Sequence, residues 1–108
     1  QTNLSKVIRD GFPVTKLHTL IIPNRHVADY FELTNEEQAD IQTLLQKHHQ
    51  LIKLEDATVT GFNMGINVGV SAGQTVFHVH VHLIPRRNGD VPNPQGGIRG
   101  VIPEKQRY

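Results

Sequence analysis

The sequence predicts an α+β domain in which one long helix covers an antiparallel sheet. Two patterns support this prediction: four short segments have the composition of β-strands, and one longer segment has the apolar spacing of an amphipathic helix. A chain of 108 residues is the size of one small domain. We therefore treat residues 1–108 as a single domain, with an irregular C-terminal segment at 88–108 that is rich in glycine and proline.

The four predicted strands are short and are separated by turn residues. They cover residues 6–9, 17–22, 58–68 and 76–84. Asp10 and Gly11 favour a turn, so the first two strands are expected to form a hairpin. Pro23 and Pro85 are expected to end the second and fourth strands, because proline cannot donate a main-chain hydrogen bond.

The long helix is predicted at residues 35–54. Thr34 is a suitable N-cap, and Glu37 stands three residues later, which is the pattern of a capping box. One face then carries the helically spaced residues Ile41, Leu44, Leu45, His48 and Ile52. Residues 27–33 are ambiguous and are compatible with a short helical turn.

Composition excludes several classes of protein. The chain has no cysteine, so it has no disulfide framework and no cysteine nucleophile, which fits a cytoplasmic location. No apolar run approaches the length of a transmembrane helix, and we expect no signal peptide, because the first residues lack the charged and then apolar pattern of one. Residues 86–108 carry five Lys/Arg and two Asp/Glu, which suits either contacts with phosphate or a solvated tail.

Three histidines alternate with apolar residues in the fourth predicted strand. His78, His80 and His82 share one face, and the opposite face, Phe77, Val79, Val81 and Leu83, is expected to be core. Three imidazoles on one face are costly to bury unless each has a partner. Histidine titrates near neutral pH and can act as nucleophile, base or acid, so the pattern favours catalysis.

Two alternatives to catalysis remain open for these histidines. One is that they are hydrogen-bonded core residues. The other is a zinc site built on a His-x-His pair, but His78 and His82 are too far apart along a strand to share one ion easily, so His18 or His26 would have to contribute.

The triad and the residues around it resemble the histidine-triad (HIT) family. The run from His78 to Ile84 matches its His-φ-His-φ-His-φ-φ signature, where φ is an apolar residue. Further matching residues are the run 72–76, Pro85 and Arg86 beside the triad, and, nearer the N-terminus, Asp10, Pro13, Val14, His18, the run 20–23, Arg25 and His26. The resemblance implies an antiparallel sheet of about five strands, one long helix and a short helix.

The resemblance also implies an activity, which is hydrolysis at the α-phosphate of a nucleotide through a nucleotidyl-histidine intermediate. His80 would be the nucleophile, and His82 would contact the phosphate and help to protonate the leaving group. His78 and His18 would hold the imidazoles in place. Dinucleoside polyphosphates such as diadenosine tetraphosphate are the first substrates to consider.

Binding residues follow from the same resemblance. Asn67, Gln74 and Thr75 stand where the family contacts phosphate, and Asp10 stands where it accepts a ribose hydroxyl. The candidates for a purine-base pocket are Ile8, Leu20 and Ile22, which core packing would explain equally well. The resemblance implies no required cofactor and no bound metal, with a divalent cation entering only as a complex with the substrate.

The resemblance leaves alternatives open. A purine nucleoside phosphoramidase needs the same nucleophile, and a nucleotide-binding module with incidental activity or a metal-dependent hydrolase would also fit. We expect a homodimer, with Arg99, Lys105 and Tyr108 at the rim of the neighbouring site, and we expect neither membrane nor nucleic acid as a partner. The chain departs from the family at Lys16 and Leu17, where a Pro-Gly pair is common, and this predicts either a different hairpin geometry or a local change.

Overall fold

Four strands and one helix form the framework of the protein in the computed structural model, which describes all of residues 1–108. They are β1 (Ser5–Arg9), β2 (Thr19–Pro23), α1 (Asn35–Glu55), β3 (Val59–Gly65) and β4 (Val81–Arg87). Short 3-10 helices lie at Tyr30–Glu32, Val70–Ala72, Gly97–Val101 and Pro103–Lys105. The predicted α+β class and antiparallel sheet are confirmed, although the sheet has four strands rather than about five.

The sheet has the order β1-β2-β4-β3, and every neighbouring pair is antiparallel. Its register places Ile8 opposite Leu20, Leu20 opposite His82, and His82 opposite Gly65. Directly opposed residues point to the same face of a sheet, so these four positions form one row across it. We call the face that carries His82 the site face.

The other face of the sheet is covered by α1. The buried cluster between them joins Ile21 and Val81 of the sheet, together with Val79 just before β4, to Ile41 and Leu44 of the helix. No helix of the protein is both long and apolar enough to cross a membrane. Because α1 packs on one face of the sheet, it leaves the site face uncovered.

The capping box of α1 forms as the sequence predicts. Thr34 Oγ1 accepts the main-chain N–H of Glu37, and the Glu37 carboxylate accepts the N–H of Thr34. Arg25 donates to the same carboxylate through Nε and Nη2, at 3.2 and 2.8 Å. Glu37 therefore fixes both the start of the helix and the loop that precedes it.

The fourth strand is displaced along the chain from its predicted position at 76–84. A ladder continued toward the N-terminus of β4 would require an N–H from Pro23, which has none, and the histidine segment before Val81 makes only the single bond from Val79 N to Val27 O. At the other end Pro85 lies inside β4 rather than ending it. Its carbonyl accepts from Thr15 Oγ1 on the side where pairing with β2 has stopped at Leu83, so no ladder bond is lost there.

Buried apolar side chains still alternate with the histidines in most of the segment. Val79, Val81 and Leu83 are buried as predicted. Phe77 was expected in the core, but its side chain is 48% exposed, because the chain has not yet reached the sheet at that point.

Leu17 takes a left-handed conformation, which glycine adopts more readily than other residues. Its φ is +73°, and it is the only non-glycine residue of the chain with a positive φ. The N–H of His18 donates to the carbonyl of Thr15, which closes a turn with Leu17 at its third position. The turn therefore has a left-handed residue at the position where the family commonly has glycine, at a steric cost to leucine.

The C-terminal segment folds back on the site face of β3. A Cβ on Gly65 would lie 3.9 Å from the side chain of Ile98, and one on Gly97 would lie 3.2 Å from the amide of Asn63. Gly65 and Asn63 share the face that carries His82, so the segment covers the β3 end of the site. Gly96 has φ +90°, and any Cβ there would collide with the carbonyl of Gln106.

Candidate active site

His80 is positioned by the backbone just before it. Its Nδ1 lies 3.0 Å from the carbonyl oxygen of His78. A carbonyl only accepts, so Nδ1 carries the proton and the neutral ring has its lone pair at Nε2. A nitrogen with a free lone pair is the nucleophilic atom of a neutral imidazole.

His82 is positioned by the side chains of His18 and Asp10, which lie at the turn end of the β1–β2 hairpin. Its Nδ1 lies 2.9 Å from Nε2 of His18, and the rings of His80 and His82 are 5.1 Å apart. His18 is 2% exposed, and its Nε2 is also 3.5 Å from the carboxylate of Asp10. Asp10 reaches this point because its N–H bonds to the carbonyl of His18, which closes the β1–β2 hairpin.

His78 bonds to the main chain rather than to another imidazole. Its Nε2 donates to the carbonyl of Pro23 at 2.8 Å, and its ring lies 4.9 Å from that of exposed His26, tilted by 51°. The bond also satisfies the Pro23 carbonyl at the end of β2. His78 thus anchors the segment that carries His80.

An open groove of about 190 Å³ borders His80 on the β1–β2 side of the site face. It is lined by Lys6, Leu20, Ile22, Val76, His78 and His80. Leu20 and Ile22, which the sequence could equally assign to the core, are half-buried and face this groove. Ile8 lies beside it, opposite Leu20, and is 44% exposed.

The three polar residues predicted to contact phosphate differ in their surroundings. Gln74 is buried, and its side chain accepts from Gly69 N and donates to the carbonyls of Ala28 and Val76. It holds the loop before the triad in shape through these bonds. Asn67 and Thr75 are exposed and make no side-chain hydrogen bond within the chain, so both remain free to meet a ligand.

Burial lowers the pKa of two site histidines. Desolvation lowers the pKa of His18, and the nearby Asp10 carboxylate offsets part of that effect. Desolvation also lowers the pKa of His82, and the neighbouring imidazoles His80 and His18 lower it further. Both rings are therefore neutral at pH 7, so each has one nitrogen that donates a hydrogen bond and one that accepts.

Three potential metal-ligand atoms cluster at the centre of the site. One atom each from Asp10, His18 and His82 lie within 4.8 Å of one another. The nitrogens of His18 and His82 in this cluster already bond to each other. A metal ion would have to break that bond, so the arrangement suits a hydrogen-bonded pair better than a chelate.

Sequence reasoning missed the main-chain groups of the site. The carbonyls of His78 and Pro23 and the N–H of Val14 each contact an imidazole. Main-chain groups have no sequence signature of their own. Pro23 was visible as a strand terminator, and its unpaired carbonyl could have been expected to need a partner.

Fold and site together define a small α+β protein in which two neighbouring imidazoles, each hydrogen-bonded through Nδ1, lie on one face of an antiparallel sheet. The HIT domain family model matches residues 1–89. The chain belongs to the HIT family.

Curated relatives carry names that refer to dinucleotide metabolism. The bis(5'-nucleosyl)-tetraphosphatase (asymmetrical) of Schizosaccharomyces pombe is 41% identical over 90 residues, which cover 83% of this chain and 49% of that protein. The AP-4-A phosphorylase of Mycobacterium tuberculosis is 38% identical over 80 residues, covering 73% and 40%. The chain spans about half or less of the length of these relatives.

Solved structures share the fold as well as the sequence. A HIT family protein from Bacillus anthracis superimposes with a TM-score of 0.77 at 43% identity, covering 82% of this chain and 62% of that one. An identity of this size supports family membership beyond the common fold.

Proposed function

We propose that this protein hydrolyses nucleotides at the α-phosphate, with dinucleoside polyphosphates such as diadenosine tetraphosphate as the substrate class. The carrying observation is the 3.0 Å bond from His80 Nδ1 to the carbonyl of His78, which leaves Nε2 unprotonated beside the apolar groove. The names of the relatives from S. pombe and M. tuberculosis support the choice of dinucleotides.

The reaction proceeds in two displacements at phosphorus. In the first, the lone pair of His80 Nε2 forms a bond to the α-phosphorus, and the bond to the bridging oxygen breaks, so that its electron pair leaves with the second phosphate group. In the second, a water oxygen attacks the same phosphorus, the P–N bond breaks, and the water loses one proton to solvent. Two displacements of moderate barrier replace one difficult displacement.

Substrate binding divides across the sheet. The base packs against Leu20 and Ile22 in the groove, with Ile8 at its edge, and Asp10 accepts a ribose hydroxyl. Asn67 and Thr75 contact the phosphates directly, whereas Gln74 shapes the loop that presents them. The reaction uses no metal cofactor in this scheme, because positioning and hydrogen bonds supply the stabilisation.

A turnover panel tests the proposal. Diadenosine tetraphosphate, diadenosine triphosphate and an adenosine phosphoramidate are each incubated with the protein, with and without a strong chelator, and products are resolved by chromatography. We expect the protein to turn over the dinucleotides and to keep turning them over in the presence of the chelator. Faster cleavage of the phosphoramidate would select the P–N alternative, and binding without turnover of any substrate would contradict an enzymatic function.

A further inference from the structure

A main-chain amide contacts the ring of the buried histidine at the centre of the site. The N–H of Val14 points at Nδ1 of His18, with 3.0 Å between the nitrogens. The side chain of Val14 is 71% exposed and takes no part in the core. This position therefore acts on the site through its backbone.

The direction of each hydrogen bond follows from this contact. An amide N–H donates and never accepts, so Nδ1 of neutral His18 is the acceptor and its proton is on Nε2. That Nε2 lies 2.9 Å from Nδ1 of His82. The nitrogen of His82 must accept, and the single proton of its neutral ring is left on Nε2.

We propose that the main-chain N–H of Val14 is a positioning group that sets, through His18, the tautomer of His82 with the proton on Nε2. The neighbouring His80 has the opposite tautomer. Its Nδ1 faces the carbonyl oxygen of His78 and carries the proton, whereas Nδ1 of His82 faces the N–H of His18 and accepts. Two backbone groups of opposite polarity thereby give adjacent imidazoles opposite tautomers. His80 presents a lone pair at Nε2, and His82 presents an N–H at Nε2.

This arrangement makes His82 a neutral hydrogen-bond donor to the oxygens of a phosphate ester. No proton has to leave His82 for that role, so its ring never becomes an anion. The same proton placement opposes a metal ion at His18 Nε2, since a metal there would require either an anionic ring or loss of the bond from Val14. The consequence for catalysis rests on the proposed function, whereas the tautomer itself does not.

Val14→Pro removes the N–H and Val14→Ala keeps it, which makes a matched pair at an exposed position. The probe is nitrogen-15 NMR of histidine side chains in the ligand-free protein at pH 7.5. We expect Nε2–H for His82 in the parent and in Val14→Ala, and a loss of that single state in Val14→Pro, with the Nδ1–H state of His80 unchanged in all three. His82 protonated on Nδ1 in the parent, or a Val14→Pro protein with an unaltered His82, would overturn the proposal.

A second pair keeps the test open if Val14→Pro does not fold. His18→Gln offers both an acceptor oxygen and a donor N–H, whereas His18→Glu offers only acceptors once ionised. We expect His82 to keep Nε2–H in His18→Gln and to gain a proton on Nδ1 in His18→Glu. Identical His82 spectra in the two variants would overturn the relay.

Kinetics separate this inference from the proposed function. We expect Val14→Pro, which loses this oriented donor, to have a kcat about tenfold lower than the parent with little change in KM. A factor of ten corresponds to about 1.4 kcal/mol of activation free energy. If the parent turns over no dinucleotide, the proposed function fails while the NMR result still decides the tautomer. If the parent is active and Val14→Pro shows the parent's spectra and rate, only the relay fails.

Discussion

His80 and His82 are two residues apart, yet they are expected to fail in different ways when truncated. In the proposed mechanism His80 forms the bond to phosphorus, and His82 stabilises charge on the phosphate and the leaving oxygen. His80→Ala should lower kcat at least about a thousandfold with every leaving group, because the covalent step has no substitute. His82→Ala should cost less when the leaving group is already a weak base.

The measurement is kcat for both variants on two adenylate esters whose leaving groups differ in basicity, together with their melting curves. Val79 and Val81 carry the packing of this segment, so both variants should melt close to the parent. A His80→Ala protein that keeps a tenth of the parent rate would contradict the assignment of the nucleophile.

Leu17 pays a conformational cost that a pair of substitutions can isolate. At an ordinary position Ala is more stable than Gly by about 0.5–1 kcal/mol, but a left-handed residue reverses that order. We expect Leu17→Gly to be more stable than Leu17→Ala by about 1 kcal/mol in urea unfolding. Both variants lose the leucine side chain that packs near Ile52 and Leu83, so that loss cancels in the comparison.

Lys16 supplies the control, because it lies in the same turn and has a negative φ. There the Ala variant should be at least as stable as the Gly variant. The same order of stability at both positions would show that the backbone of Leu17 is not strained.

Helix α1 depends on a single carboxylate at its start. The hydrogen bonds from Arg25 and from the main chain of Thr34 lower the pKa of Glu37 to about 2, below its ordinary value of 4.5. A depressed carboxylate pKa means that the unfolded chain binds more protons, so this stabilisation is complete above about pH 5 and is lost as pH falls toward 2. Acid should therefore weaken the cap and the loop that Arg25 ties to it.

Glu37→Gln tests this by thermal unfolding from pH 7 to pH 3. The variant should melt below the parent at pH 7, and the gap should narrow steadily below pH 5. Glu36→Gln, an exposed neighbour in the same helical turn, should show no such narrowing. A gap that is constant across this range would mean that the charge of Glu37 is not what stabilises the helix.

β3 offers a surface through which two copies of the protein could associate. It is an edge strand, and beside it an apolar groove of about 320 Å³ lies between β3 and α1, with Leu45, Phe62 and Met64 among its lining residues. Met64 is 55% exposed. An unpaired edge next to an apolar surface favours association, so we predict a homodimer through β3.

Light scattering should give a mass near twice that of one chain. Met64→Glu should shift the protein toward the monomer, whereas Phe31→Glu, at a 77% exposed residue outside the groove, should not. A parent protein with the mass of a single chain at working concentration would refute the dimer.

The residues expected at the rim of the neighbouring site are Arg99, Lys105 and Tyr108. Within its own chain, the Arg99 guanidinium lies over the ring of Tyr108, 5.0 Å from its centroid. The role of all three residues toward a partner stays a prediction.

The sequence by itself determined the features that local chemistry controls. Thr34 and Glu37 are three residues apart, so the capping box and the start of α1 were predictable, and strict alternation around Val79 and Val81 separated the histidine face from the core. The spacing of the triad, with the residues around it, was enough to indicate the family.

Only the tertiary structure decided where the fourth strand lies and how the imidazoles are polarised. β4 begins at Val81 because Pro23 on the neighbouring strand has no N–H to continue the ladder, and it runs through Pro85 because β2 has already ended. The tautomers of His80 and His82 depend on a carbonyl and on the amide of Val14, which the hairpin brings to the site from a distant part of the chain. These contacts are made by main-chain groups, which nearly every residue possesses, so no pattern of side chains indicates them.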